Sequence, residues 1–289
     1  MTISIAHLGP AGTYSEAAAL AYTDRLKLHL DGSYSLNPCG SITQTLQAVV
    51  RGEAQLAVIP VENSLGGSVT MALDTLWQLE TPIVQQALVL PISHALLSQA
   101  DALCDLKVVY SHPQALAQCQ TWLETHLPAA KLLSTQSTTE ALQKTHADPT
   151  IGAIASRRAG QLYDVPILAY PINDRLDNCT RFWVVSDKEF NLGLESSPEE
   201  NHYVSLAFSL PNNLPGALVH PLQVLANRGI NMSRIESRPA KRSLGEYLFF
   251  IDIEANGDRR HWEDALKELA THTEILKVWG HYSVWHFSD

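Results

Sequence analysis

The sequence predicts an α/β protein in two parts: a two-lobed region with a mainly parallel sheet, then a smaller βαββαβ unit. Three observations predict it. Apolar strand-like runs alternate with amphipathic helical stretches from the N-terminus to about residue 186, which is the pattern of parallel strands joined by helices. Two long extended runs, near 83–90 and 165–172, break that rhythm. They read as two crossings between lobes, with a cleft between them that closes by hinge motion. A polar stretch, 188–201, then reads as a linker to a region of different pattern.

The bulk properties narrow the function. The chain has 289 residues, room for two ordinary domains, and is 45% hydrophobic and 17% charged, a normal balance for a real core. A net charge of −10 argues against nucleic acid and anionic membrane as partners, though it leaves room for a local basic pocket. There is no long apolar span and no basic-then-apolar leader pattern, so a cytoplasmic protein is expected. Cys39, Cys104, Cys119 and Cys179 lack C-x-x-C spacing and read as reduced thiols, with Cys179 alone beside a candidate site residue. The 12 histidines show no metal-ligand spacing, so no metal site is expected.

In chain order, Ile3 to Leu8 reads as a strand broken by Gly9-Pro10-Ala11-Gly12. Thr13 and Glu16 then fit a capping box that opens an Ala-rich helix around Tyr14. Such a glycine-rich turn offers backbone N–H groups to an anion, although it is not a dinucleotide fingerprint and serves equally as a plain strand–helix turn. Ser41 caps a helix to Arg51, ended by Gly52. Leu56 to Pro60 is a buried strand that runs into a polar loop holding Glu62, Asn63 and Ser64, before a helix to about Gln78. Loops at the carboxyl ends of strands are where open α/β sheets bind ligands; these residues are also good turn formers.

The second lobe follows Pro91. Leu106 to Tyr110 is a strand leading to Ser111-His112-Pro113-Gln114, with Pro113 in a first helical turn and Ser111 or His112 at the cap. Leu132-Leu133 is a short strand, Ser137 opens a helix, Ile151 to Ala155 is a buried strand, and Ser156 caps a helix to Tyr163. The stretch Asp177 to Ser186 begins polar and ends apolar and β-branched, a loop feeding a strand. Thr180 and Arg181 sit at that junction. Neighbours on a strand point to opposite faces, so either the strand starts late or one of the two is structural.

After the linker, Tyr203 to Leu210, Ile230 to Ser237, Gly245 to Glu254 and Ile275 to Tyr282 read as strands, with helices Ala217 to Arg228 and Arg260 to Ala270. This is the ferredoxin-like split order. Its sheet has a face or edge that needs covering, most simply by a second copy of the chain.

Six motifs then coincide in order: Gly9 to Glu16, Pro60 to Ser64, Ser111 to Gln114, Thr180-Arg181-Phe182, Leu214-Pro215-Gly216-Ala217-Leu218, and Ile235-Glu236-Ser237-Arg238-Pro239. Together they resemble the prephenate dehydratases, the last two matching the phenylalanine-binding motifs of that family's regulatory ACT domain. The resemblance implies a periplasmic-binding-protein-like catalytic domain over 1–187, with one lobe near 1–82 and 172–187 and the other near 92–165. It implies an ACT domain over 202–289. Because the chain begins at the first motif, a monofunctional form without the fused chorismate mutase of some relatives is expected.

The implied reaction is prephenate to phenylpyruvate, water and carbon dioxide, a carbon–oxygen lyase step without cofactor in phenylalanine biosynthesis. The resemblance assigns catalysis to Thr180, Arg181 and His112. Substrate binding falls to Gly12, Thr13, Tyr14, Glu62, Asn63 and Ser64, joined by Ser111, Gln114 and Phe182. Thr180 hydrogen-bonds the departing hydroxyl, yet a protonated His112 is the better formal acid, and the sequence leaves both open. L-Phenylalanine as inhibitor falls to Leu214, Pro215, Gly216, Ala217 and Leu218 with Glu236, Ser237, Arg238 and Pro239, at the interface of a homodimer or homotetramer. The rival readings are an arogenate dehydratase and a non-catalytic two-lobed sensor.

Overall fold

The computed structural model describes residues 2–80, 82–135, 137–188, 201–242 and 245–288. The expected linker at 188–201 lies outside them except for its two end residues. The chain divides into two compact units, one of residues 1–72, 88–182 and 286–289, the other of 73–87 and 183–285.

The first unit opens with β1 (Thr2–Leu8), α1 (Tyr14–Lys27), β2 (Ser33–Cys39), α2 (Ile42–Val50) and β3 (Leu56–Asn63). β2 and β3 both run parallel to β1, as strand–helix–strand connections require. Helix α1 buries Ala18, Ala19, Tyr22 and Leu26, and Leu56 to Ile59 of β3 are wholly enclosed. β2 has no sequence signal: it is Ser-Tyr-Ser-Leu-Asn-Pro-Cys with no fully buried position. It is an edge strand, where a proline and polar side chains are tolerated. A short β4 (Gly67–Ser68) folds back on β3, and α3 (Thr70–Gln78) follows.

The crossing strand β5 (Ile83–Pro91) leads to β6 (Ala95–Ser98), β7 (Val108–Ser111), α4 (Pro113–Gln118), α5 (Gln120–His126) and β8 (Lys131–Ser134). Then come α6 (Thr138–Thr145), β9 (Ile151–Ala155), α7 (Arg157–Leu162) and β10 (Ile167–Ala169), and the return strand β11 (Cys179–Ser186) lies next to β3. The second sheet has the order β10-β6-β9-β7-β8. β7 is parallel to β8 and β9, but β6 is antiparallel to β9 and β10. This lobe is therefore mixed. β6, through which the chain enters the lobe, lies second from the edge and alone runs against the others; β10, the edge strand through which the chain leaves, runs with β9, β7 and β8.

Alternation along β6 sends Leu96 into one core with Val109, Cys119, Leu123 and Ile154, and Ala95 and Leu97 into another with Leu142, Ala153 and Ala159. Burial pushes the Cys119 thiol up to about 12, so it packs as a neutral group.

The second unit holds β12 (His202–Ser209), α8 (Val219–Asn227), β13 (Met232–Pro239), β14 (Tyr247–Glu254), α9 (Arg259–Ala270) and β15 (Ile275–His286). These strands are antiparallel in the order β13-β14-β12-β15, the split order the sequence predicts. Val224 and Leu225 of α8 and Trp262, Leu266 and Leu269 of α9 pack on Leu206, Phe208, Ile251 and Ile253. Residues 73–87 belong here through specific bonds. Asp74 pairs with Arg238 at 3.1 Å and Lys241 at 2.7 Å, and Lys277 Nζ donates to the carbonyls of Trp77 and Leu79, both at 2.7 Å. Burial raises the Asp74 carboxyl, but hydrogen bonds from Arg238 and Lys241 outweigh it and the net shift is downward. Among the described residues, no helix is long and apolar enough to cross a membrane.

Candidate active site

A cavity of about 640 Å³ opens between the two sheets of the first unit, a volume suited to a small-molecule ligand. Tyr14, Asn63, Thr180 and Phe182 line it from the first sheet's side, and His94, His112, Gln114 and Gln118 from the second's. The first residues of several helices converge on it. Thr13 and Tyr14 begin α1, Ile42 begins α2, Thr70 and Met71 begin α3, and Ser137 and Thr138 begin α6. Sequence dictates these starts: Thr13, Ser41 and Ser137 are N-caps whose hydroxyls accept from Glu16, Gln44 and Glu140 N–H groups. A cap satisfies one of about four orphan N–H groups, so each helix end still presents a partial positive charge. No lysine or arginine is among the described lining residues, and Glu140 is the one carboxylate among them.

Thr180 is buried, and its Oγ1 accepts from Asn63 Nδ2 at 3.0 Å. His112 caps α4: its Nδ1 accepts from the Gln114 N–H at 3.2 Å. Burial holds the His112 pKa below its ordinary value, favouring the neutral ring at pH 7.

Several expected residues sit elsewhere. Arg181 and Glu62 pair with each other at 3.5 Å, and neither lines the cavity. β11 starts at Cys179, so strand alternation already governs Thr180 and Arg181 and turns them to opposite faces. Ser64 ties the end of β3 to β11: its N–H donates to the Cys179 carbonyl at 2.9 Å and its Oγ accepts from the Cys179 N–H at 3.0 Å. Ser111 is fully buried and donates to the Ile154 carbonyl at 2.7 Å. Gly12 does not line the cavity either. Its N–H donates to Glu16 at 2.7 Å, its carbonyl accepts from Ser156 Oγ at 3.0 Å, and its φ of +86° suits glycine. A Cβ there would lie 3.1 Å from the Ala159 side chain. With Tyr163 OH donating to the Ala11 carbonyl at 3.0 Å and Arg158 pairing with Glu16 at 2.9 Å, this turn is clasped onto α7.

His94 and Gln118 line the cavity without belonging to any motif named from the sequence. Gln118 carried one signal, its i+4 spacing from Gln114 on the same short helix. His94 sits in an apolar run and carried none.

In the second unit, Leu214 to Leu218 form the turn before α8, with Gly216 at φ +83° and open space around its missing Cβ. Glu236 to Pro239 finish β13, with Arg238 held by Asp74. A cavity of about 530 Å³ adjoins both motifs in sequence, lined by Asn212, Asn213, Ala240, Arg242 and Tyr247 among others, but by none of the nine expected effector residues.

Residues 5–190 match the family model for prephenate dehydratase, and residues 204–271 that for the ACT domain. The chain is 36% identical to a prephenate dehydratase of Methanocaldococcus jannaschii, over 98% of this chain and 99% of that one. It is also 36% identical to a bifunctional chorismate mutase/prephenate dehydratase of Aquifex aeolicus, covering 97% of this chain and 73% of the relative. Among solved structures, a prephenate dehydratase from Arthrobacter aurescens in complex with L-Phe superposes with a TM-score of 0.84 at 31% identity, covering 97% of this chain and 90% of that one.

Proposed function

The chain belongs to the prephenate dehydratase family, and on that premise we propose that its cleft converts prephenate to phenylpyruvate, acting as a carbon–oxygen lyase under feedback control by L-phenylalanine. One observation carries this reading: a cavity ringed by helix N-termini and floored by a buried hydroxyl. Prephenate is a dianion with a ring carboxylate, a pyruvyl carboxylate and a ring hydroxyl. Helix N-termini hold carboxylates without a cationic side chain, which suits a cavity with no lysine or arginine among its described lining residues.

The step balances as prephenate dianion plus one proton giving phenylpyruvate anion, water and carbon dioxide. The ring C–O and C–carboxylate bonds break, and the carboxylate's electron pair completes the arene. Aromatisation supplies the driving force, so the protein has to orient the ring and hydrogen-bond the leaving oxygen. We assign that bond to Thr180, whose proton is replaced from solvent. His112, favoured neutral by burial, is a polar contact in this reading and not the acid. Tyr14, Asn63, Gln114 and Phe182 shape the pocket, and the Arg181–Glu62 pair fixes β11 against β3.

In the second unit, L-phenylalanine binds through the Gly216 turn and the Glu236 to Pro239 segment. Exposed Leu214, Ile235, Tyr247 and Val278 give that unit an apolar surface fitted to another copy of the chain. Four free thiols, Cys104 exposed among them, suit a cytosolic setting.

The deciding experiment is incubation with prephenate at neutral pH while following phenylpyruvate absorbance, with and without phenylalanine, in the wild type and Gly216→Val. Product formation that phenylalanine suppresses in the wild type and not in the variant is expected. No product sinks the activity; equal inhibition of both proteins sinks the effector site.

A further inference from the structure

The Thr180 hydroxyl is one end of a buried chain of neutral groups. Asn63 Nδ2 donates to Asn178 Oδ1 at 2.8 Å and shares its other proton between Thr180 Oγ1 at 3.0 Å and the Cys179 carbonyl at 3.1 Å. Asn63 Oδ1 accepts the backbone N–H groups of Leu65 at 3.2 Å and Gly66 at 2.8 Å, and Gln118 Nε2 at 3.1 Å. Gln118 Oε1 accepts from Asn178 Nδ2 at 3.1 Å and lies 2.9 Å from His94 Nε2. His94 Nδ1 lies 3.0 Å from the Tyr14 hydroxyl, which donates to the Ser93 carbonyl at 2.7 Å.

The direction of each bond between Thr180 and Gln118 is determined. Backbone N–H groups only donate, so the Asn63 oxygen must face Leu65 and Gly66, and its NH₂ must face Thr180. Gln118 must then give its NH₂ to Asn63 and turn its oxygen to His94. That oxygen requires a proton on His94 Nε2, a condition met by one neutral tautomer and by the charged ring alike. At the far end, Thr180 Oγ1 is an acceptor from Asn63 and donates to no described residue. A hydroxyl has one proton and two lone pairs. With a lone pair occupied from behind, the proton is left for the cavity that Thr180 lines.

We propose that His94 is a positioning residue for the dehydration: its Nε2–H, relayed by Gln118 and Asn63, holds the Thr180 hydroxyl as a donor toward the leaving oxygen. This rests on the role given to Thr180 above. Without the Nε2–H, Gln118 Oε1 keeps only the bond from Asn178 Nδ2; Gln118, and with it the Asn63 amide that faces Thr180, is held less tightly, and the Thr180 hydroxyl can turn its proton away from the leaving oxygen.

The test is a double-mutant cycle on the full chain, with prephenate turnover measured for wild type, His94→Leu, Thr180→Ala and the pair. His94→Leu is expected to lower kcat about tenfold with KM within about twofold, and to have no further effect in the Thr180→Ala background. His94→Gln, which can offer an amide N–H to Gln118, is expected to recover most of the loss. Should His94→Leu fail to fold, Gln118→Leu takes its place in the cycle. Losses that multiply in the double mutant, or a His94→Gln as impaired as His94→Leu, overturn the positioning role while leaving Thr180 in the mechanism. Near-normal turnover of Thr180→Ala alone removes both.

Discussion

The two units bury polar groups in opposite ways. In the first, Asn63, Gln118, Asn178 and His94 form a network of amides and an imidazole around Thr180. In the second, the buried polar centre is ionic. Arg234 Nε lies 2.7 Å from the fully buried Asp252, whose Oδ1 accepts from Ser205, and Arg234 stacks 5.6 Å from the Trp183 ring. Amides fix direction without fixing charge, so they can aim a proton in a site proposed for a dianion. An ion pair gives strength but carries a heavy desolvation cost if one partner is lost. The first arrangement suits chemistry; the second suits holding β13, which carries a proposed effector motif, against β14.

The comparison is best broken at its charged end. Asp252→Ala is expected to destabilise the protein by about 3–5 kcal/mol, because it strips a buried guanidinium of its closest carboxylate. Denaturant unfolding checks this, and a loss under 1 kcal/mol would mean the pair is effectively solvated.

At the neutral end the effect should move from stability to rate. Thr180→Ala is expected to fold normally yet lose about 10²–10³ in kcat, or about 3–4 kcal/mol of transition-state stabilisation. If instead its melting temperature falls sharply and its kcat holds, the hydroxyl is structural.

Acid sharpens the contrast least but tests the imidazoles directly. Burial lowers the pKa of His94 and His112. In the unfolded chain both titrate near the ordinary value of about 6.5. Between that value and their folded pKa values the unfolded state binds more protons, so stability falls as pH drops below about 6.5 and is unaffected by these groups above it. Replacing His94 by Gln should flatten that decline in a pH series of unfolding curves; an unchanged slope would show that His94 contributes nothing to it.

Much of this was legible in the chain. Thr13, Ser41 and Ser137 announced their helices, and the strand–helix rhythm gave most of the elements. The ordering of the ferredoxin-like unit followed from pattern alone. β2 was not legible, since a polar edge strand has no hydrophobic period to read. The antiparallel entry of β6 was hidden too, because strand direction depends on how a lobe is joined and not on its residues.

Local sequence thus determined most of the helices and strands, β2 excepted, and which side chains cap them, because caps, turns and periodicity act over a few residues. It also showed that Thr180 and Arg181 could share a face only if the strand began after them. Tertiary structure alone decided which one faces the cavity, and it assembled Asn63, His94, Gln118 and Thr180 from separate elements. A hydrogen bond between Asn63 and Thr180 spans 117 positions, and no local preference encodes a partner at that distance; only the packing of β3 against β11 supplies it.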